Sequence, residues 1–187
     1  MASRVSLVSG VLAVFAAVLG LHGAGLAAPS VSWGSYLGGG DIEFQGGVAV
    51  DGSGNVYIVG STLSAGWVSG NLDNTLATPE YDGFAVKLNA SGGHVWSTYL
   101  GDSGIDGCAD VAVDAGGNVF IVGNTSTSGW FGNGGAWMST DPGPGPDGFV
   151  IKLDTDGAQV WSTYLGGTSD DEGTDLALDG SGNIYAT

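Results

Sequence analysis

Three observations predict an all-β chain assembled from repeated units. Trp-Ser-Thr-Tyr-Leu-Gly occurs at 96–101 and again at 161–166, with Trp-Gly-Ser-Tyr-Leu-Gly at 33–38. The register after each Trp also holds: Asp51, Asp114 and Asp179 lie 18 residues on, and Asn55, Asn118 and Asn183 lie 22 on. Finally, 37 of the 187 residues are Gly, against a usual share of about 7%. A repeat of this kind decides the architecture before single residues are weighed. The glycines follow no G-X-Y period, which excludes collagen, and 43% apolar residues in clear repeats exclude a simply disordered chain. Many short strands joined by Gly-rich turns remain.

The N-terminus reads as an export signal, predicted to span 1–27. Arg4 supplies the charge, residues 5–21 are apolar and small, and Gly25-Leu26-Ala27 offers a small-residue cleavage site. Cutting after Ala28 instead would put Pro29 directly behind the cut. An uncleaved anchor is the alternative. The apolar run is rather short for a ~20-residue span and carries Ser6, Ser9, Gly10 and Gly20, which argues against an anchor; no second apolar run follows in the sequence, so after cleavage no stable membrane insertion is expected. The formal net charge is −16, and cleavage would leave Lys87 and Lys152 as the mature cations against 19 acids. Nucleic acid and anionic lipid need clustered Lys and Arg and are therefore poor partners. The bland meaning of the charge is solubility.

From 33 to 187 the chain divides into units of about 33–95, 96–160 and a truncated 161–187. Val48-Ala49-Val50-Asp51 is a short strand, Gly52-Ser53-Gly54 a turn, and Asn55-Val56-Tyr57-Ile58-Val59-Gly60 the returning strand. Asp and Asn can bond the turn amides, and Gly takes φ > 0 there without a Cβ clash. The hairpin recurs around Asp114 and Asp179. A long Gly/Ser/Asn/Thr-rich loop follows. A third strand begins Asp82-Gly83-Phe84, copied as Asp147-Gly148-Phe149, and a second Gly turn leads into the Trp strand. Four sequential antiparallel strands per unit is the pattern of a propeller blade. The spacing of 63 and 65 residues between Trp copies exceeds the 40–45 of WD-type blades, and the long loop accounts for the excess. The apolar first strand is expected innermost and covered on both faces. The Trp strand alternates, as an outer strand with one side against a neighbouring blade should.

These segments resemble the bacterial beta-propeller repeat family called SBBP. Its hallmark is similar to Trp-Ser-Thr-Tyr-Leu-Gly-Gly, then Ala-Val-Asp-x-x-Gly-Asn-Val-Tyr, then Asp-Gly-Phe-x-x-Lys-Leu. The resemblance implies an exported bacterial propeller, often within a larger surface protein, and implies no reaction. The expected fold is therefore all-β and propeller-type: two complete four-stranded blades plus partial blades, open or incomplete. Two and a half blades cannot close a ring of about 4–8. A chain stopping at Thr187, inside a strand, is expected to be a fragment with further blades missing in cis, or else to assemble with other chains.

No residue cluster announces a reaction, and the chain is not expected to be an enzyme. His22 leaves with the leader, His94 stands alone as a turn-flanking surface residue, and no Gly-x-Ser-x-Gly elbow occurs. One His and one Cys cannot make a multi-His zinc site. Cys108 reads as a semi-buried, incidental thiol. Asp154, Asp156, Asp170, Asp171 and Glu172 offer oxygen ligands to Ca²⁺, but without EF-hand spacing; turn chemistry is the simpler account, and no cofactor is expected. Asp41/Glu43, Asp106/Asp110 and Asp171/Asp175 fall in one equivalent loop before each inner strand. A ring of acids around one mouth of a complete propeller would follow. Nothing fixes the carboxylate separation that glycoside hydrolysis needs.

Trp67, Trp130, Phe131 and Trp137 sit in the long loops. There they can contact a partner or a sugar ring, or cover the edge of their own blade. Lys87 and Lys152 share one strand position, and each is expected to pair with a carboxylate of its own blade, worth about 0–1 kcal/mol if exposed. The function expected is a structural or interaction scaffold at the bacterial surface or outside the cell, contacting protein or glycan. The alternatives are a calcium-stabilised or carbohydrate-binding module, and a fragment of a propeller enzyme whose site lies in missing blades.

Overall fold

The computed structural model describes residues 12–18 and 30–187, apart from 78, 130–137, 139–142 and 144. The described residues form twelve strands and no helix. Strands β1 (Leu12–Val18) and β2 (Ser30–Leu37) pair antiparallel. The first full blade is β3 (Glu43–Val50), β4 (Val56–Thr62), β5 (Asp82–Leu88) and β6 (His94–Leu100). The second is β7 (Asp106–Val113), β8 (Val119–Thr125), β9 (Asp147–Leu153) and β10 (Gln159–Leu165). A hairpin of β11 (Leu176–Leu178) and β12 (Ile184–Ala186) follows. Within each full blade the strands are ordered as in sequence, all antiparallel. The sheets are open, an incomplete propeller.

The hairpin turns form as their residues dictate. Asp51 Oδ1 accepts from the Ser53 and Asn55 amides at 2.9 Å each, and Oδ2 accepts from Asn55 Nδ2 at 2.7 Å and the Tyr57 hydroxyl at 3.1 Å. Asp114 and Asp179 repeat the arrangement around their own turns. The residue ending each turn, Gly54, Gly117 or Gly182, has φ of 82–84°, a region costly for a side chain.

Alternation along the ladders gives each blade two apolar faces. Val56, Ile58, Phe84, Val86 and Leu88 face Leu37 of β2. Tyr57, Val59, Ala85 and Trp96, on the other face, pack against Val111, Val119, Ile121, Phe149, Ile151 and Leu153 of the second blade. The far face of that blade, through Phe120, Val122 and Val150, meets Leu176, Leu178 and Ile184 of the C-terminal hairpin. The molecule is thus a stack of layers, with its largest core between the two full blades. Each fully buried Leu, Ile or Phe contributes about 1.5–3 kcal/mol.

Two expectations need correction. The inner strands begin earlier than their Val-rich cores, at Glu43 and Asp106. They continue through bulges between Gln45 and Val48 and between Cys108 and Asp110. Glu43, Asp106 and Asp110 therefore lie within strands and not in a solvated loop. Nor is the first inner strand covered on both faces. Val48 and Val50 are 48% and 60% exposed, whereas Val111, the equivalent of Val48, is 5% exposed. The second blade has a complete blade before it; the first has only β1 and β2.

The long loop proves to be a structural part of the blade. It runs back along the free edge of the Trp strand, where Ser97 and Tyr99 donate their amides to the carbonyls of Ser69 and Asp73 at 3.0 Å each. Tyr164 does the same to Met138 at 3.1 Å. An edge that would otherwise be open is closed, and Tyr99 is buried with Val68 and Leu76. Both sides of the Trp strand are therefore covered, one by the next blade and one by its own loop.

Replacing Asp114 by Ala orphans the Gly116 and Asn118 amides and Asn118 Nδ2 together. It should cost about 1–3 kcal/mol in a urea titration. Burial opposes ionisation of this carboxyl, but the Asn118 and Gly116 hydrogen bonds outweigh it and hold the group below its ordinary value. Its contribution is complete above the ordinary carboxylate range and is lost as pH falls through the lowered folded value. The variant's deficit should therefore shrink in acid.

Candidate functional site

The polar chemistry of the described residues concentrates on the seams between layers. Trp33 Nε1 donates to the Ala90 carbonyl at 3.0 Å, and Trp96 Nε1 to the Thr155 carbonyl at 3.1 Å. In each case the acceptor lies in the last turn of the next blade. The indole rests on a glycine of that turn. A Cβ built on Gly92 would lie 2.7 Å from the Trp33 ring, and one on Gly157 would lie 2.9 Å from the Trp96 ring. Lys87 Nζ joins the same acceptor, reaching Thr155 O at 3.0 Å while lying 5.3 Å from the Tyr57 ring centroid. Lys87 is thus tied to a backbone carbonyl of the neighbouring blade, and the expected bridge to its own blade's carboxylate is not what this bond supplies. A carbonyl already placed by a fixed turn costs less ordering than a mobile surface acid. Lys152 lies 5.1 Å from the Phe120 ring centroid, and its charge helps hold Asp114 ionised.

The second element of the seam is a pair of buried acids. The position of a Cβ on Gly101 would lie 2.7 Å from Asp106 Oδ2 and 2.8 Å from Asp82 Oδ1, so the oxygens of two blades converge where glycine leaves room. Both residues are essentially inaccessible. Asp106 is well supplied, accepting from the Thr125 and Thr127 hydroxyls and the Asp102 amide. Asp82 accepts from the Ala77 amide at 2.8 Å through Oδ2, while its buried Oδ1 has no hydrogen-bond partner. Burial drives the Asp82 carboxyl up to about 7; the Ala77 amide opposes this, and the charges of Asp106, Asp73 and Asp102 add to it. Burial likewise raises Asp106, against its hydrogen bonds from Thr125, Asp102 and Thr127. Glu43 repeats the Asp106 position, accepting from the Gly39 amide and the Thr62 hydroxyl.

Nearer the inner edge, burial raises Asp110 against amide bonds from Val111 and Leu176, and the adjacent Asp175 raises it further. The equivalent position in the first blade is Gly47, where an added Cβ would lie 2.6 Å from Asp110 Oδ1. Successive blades therefore approach one another at the same inner position. At this position Asp110 meets Asp175, while the first blade carries glycine there.

The other candidates do not come together. Asp154 Oδ1 accepts from the Asp156 and Ala158 amides at 2.9 Å each, a turn of its own making. Asp171 Oδ2 accepts from the Gly167 amide at 2.6 Å; Asp156, Asp170 and Glu172 are exposed. Among the described residues no group of three or more His, Cys, Asp or Glu is placed to hold a metal ion. Cys108 is buried, not half-buried, and burial followed by the nearby Asp106 charge raises its thiol well above the ordinary value. His94 is exposed, with Nε2 3.0 Å from Ser97 Oγ. Trp67 packs over its own blade, edge-on to Phe84 at 5.2 Å and Tyr99 at 6.4 Å between ring centroids. Trp130, Phe131 and Trp137 lie outside the described residues. A cleft of about 270 Å³ between β2 and the first blade is lined by Tyr36, Trp67, His94 and Ser97, among others.

Sequence reasoning missed the Trp-to-carbonyl bonds and the meeting of Asp82 with Asp106. The signal for the acids was present: an acid stands five residues after each Leu-Gly glycine, at Glu43, Asp106 and Asp171.

Four-stranded antiparallel blades stacked face to face, locked by recurring Trp contacts, define a β-propeller repeat protein. The model of the SBBP family, described as a beta-propeller repeat, matches residues 33–66, 95–129 and 160–187, just over half of the chain, and the chain belongs to that family. Each match takes in one Trp strand and the inner hairpin of the following blade, and leaves the third strands β5 and β9 outside. The family's unit thus straddles a seam. No curated protein matches the chain.

An acid whose folded pKa is raised stabilises most when protonated, and that stability is lost as pH rises from the unfolded value near 4 towards the folded value of about 7. Asp82→Asn keeps the acceptor for Ala77 and places a neutral donor beside Asp106. The urea midpoint of the wild type should fall between pH 5 and pH 8 more steeply than that of Asp82→Asn. Parallel profiles would show that the seam does not take up this proton.

Proposed function

We propose that this chain is an exported β-propeller repeat module that serves as a structural and interaction scaffold at the bacterial surface or outside the cell. The observation that carries the reading is the seam. Trp33, Trp96 and Lys87 all bond across it to turns of the next layer, so the recurring side chains are spent on joining units. The Arg4 charge, the apolar run and the Ala27 site support export, and membership of a propeller repeat family supports a modular role. The reading assigns no reaction and no resident cofactor.

Cleavage after Ala27 would remove β1 and leave β2 as the Trp strand of the first layer. The chain made with its own N-terminus in a bacterial host should be recovered outside the cytoplasm, beginning at Ala28 by mass spectrometry. Retention in the cytoplasm with Arg4 still attached would overturn the export part.

A second reading, a carbohydrate-binding surface module, is favoured by the cleft beside β2. Tyr36 is 72% exposed there, next to Trp67 and the His94–Ser97 hydrogen bond. A sugar ring can stack on such an aromatic and bond the polar pair. Binding on a glycan array that weakens at least tenfold in Tyr36→Ala is the expected result; flat titrations across the array would remove this reading.

A further inference from the structure

The seam between the two full blades buries two carboxylates together. Asp82, at the start of β5, is 0% exposed, and Asp106, at the start of β7, is 1% exposed. Asp82 Oδ1 and Asp106 Oδ2 flank one point beside Gly101, at 2.8 Å and 2.7 Å from it. Asp106 has two hydroxyls and an amide to bond. Asp82 Oδ1 is buried, is aimed at Asp106 and accepts no hydrogen bond. The charges of Asp73 and Asp102 bear on Asp82 as well. The two lysines of the described residues serve other groups, Lys87 the Thr155 carbonyl and Lys152 the Phe120 ring. A buried carboxylate in this setting needs a proton or a positive partner. A proton removes one of the two charges; a divalent cation answers both.

The next seam repeats the arrangement. Gly166 stands where Gly101 does, and a Cβ built there would fall against Asp147 Oδ1 and lie 3.1 Å from Asp171 Oδ2. Asp147 opens β9 as Asp82 opens β5, and Asp171 accepts from the Gly167 amide as Asp106 accepts from that of Asp102. Glu43 is the corresponding single acid beside Gly38, and its buried Oε2 also has no hydrogen-bond partner.

We propose that Asp82 Oδ1 and Asp106 Oδ2 hold a Ca²⁺ ion between the two full blades. The donors are hard oxygens, and Ca²⁺ takes these at about 2.3–2.6 Å in irregular geometry, whereas Mg²⁺ demands a near-ideal octahedron at about 2.0–2.1 Å. One Ca²⁺ can bridge oxygens this close with a small rotation of either side chain. With only two carboxylates the binding is weak, with a Kd of about 10⁻⁴–10⁻³ M. The ion joins two blades, so it fastens the seam on the side away from the indole bonds. The inference goes beyond the scaffold reading and does not depend on export.

Equilibrium dialysis of the EDTA-stripped chain against Ca²⁺, titrated to 10 mM at pH 8 in 0.15 M NaCl, tests it. The wild type should bind Ca²⁺ saturably. Asp82→Asn keeps the acceptor for Ala77, and Asp106→Asn keeps one for the Thr hydroxyls. Each should retain the wild-type circular dichroism spectrum and bind one ion fewer per chain. Asp156→Asn removes the same charge from an exposed turn and should leave the count unchanged. No saturable binding by the wild type, an undiminished count in both seam variants, or an equal loss in Asp156→Asn would each overturn the proposal. Displacement of the ion by an equal concentration of Mg²⁺ would overturn the assignment to Ca²⁺. Export is read separately, from the N-terminal mass.

Discussion

The Trp strand β6 is held from three directions, and the seam between the two full blades depends on that. Its backbone pairs with the third strand of its own blade on one edge and with the returning loop on the other. Its indole reaches out of the blade to a carbonyl in the next. Remove the loop contact and the strand becomes an open edge; remove the indole contact and the blades lose a bond that sets how close they stand. Tyr57 and Phe120 lie 6.3 Å from Trp96 and Trp161 respectively, at the same interplanar angle of 59°. The ring geometry inside each blade is reproduced, and Trp33 and Trp96 in addition lie on Gly92 and Gly157 of the next layer's turn.

The same close approach explains where this acidic chain places some of its carboxylates. Blades that touch at glycine bring equivalent strand ends together, and those ends carry Asp82, Asp106 and Asp110. Hydroxyls of Thr125 and Thr127 and the amide of Asp102 support one member of the first pair. The other is left with a single donor, so a proton is the simplest means of relieving the repulsion. Stacking and protonation are therefore linked, and the link lies between blades, not within one.

Much of the fold was legible in the sequence because it rests on local rules. Asp51, Gly54 and Asn55 announce a turn through their own chemistry, and the alternation around Val56 and Phe84 announces a strand with two buried faces. The propeller assignment followed from the order of those elements. What was not legible depends on contacts about sixty residues apart. Nothing near Trp96 in sequence says that its indole will meet Thr155, and Lys87 looks like an ordinary partner for an acid until the next blade's turn is placed beside it. The acids at 43 and 106 were visible as a recurring pair, yet burial is a property of the stack and turned an apparent loop into the inner end of a strand. Trp67 was recognised as a loop aromatic that either caps its blade or meets a partner; its contacts with Phe84 and Tyr99 place it on its own blade.

The family's unit begins on one blade and ends on the next, and this has a consequence for how such chains can change length. A segment running from a Trp strand through the following hairpin carries both halves of one joint. Extended through the loop and third strand to the next Trp strand, and copied in tandem, it adds one whole blade together with one joint. The two-residue difference between the Trp spacings falls in the long loop, between Thr62 and Asp82 in one blade and Thr125 and Asp147 in the other, away from the joint. Recombination can therefore alter the number of units while drift alters the loops, and neither process needs the other's consent.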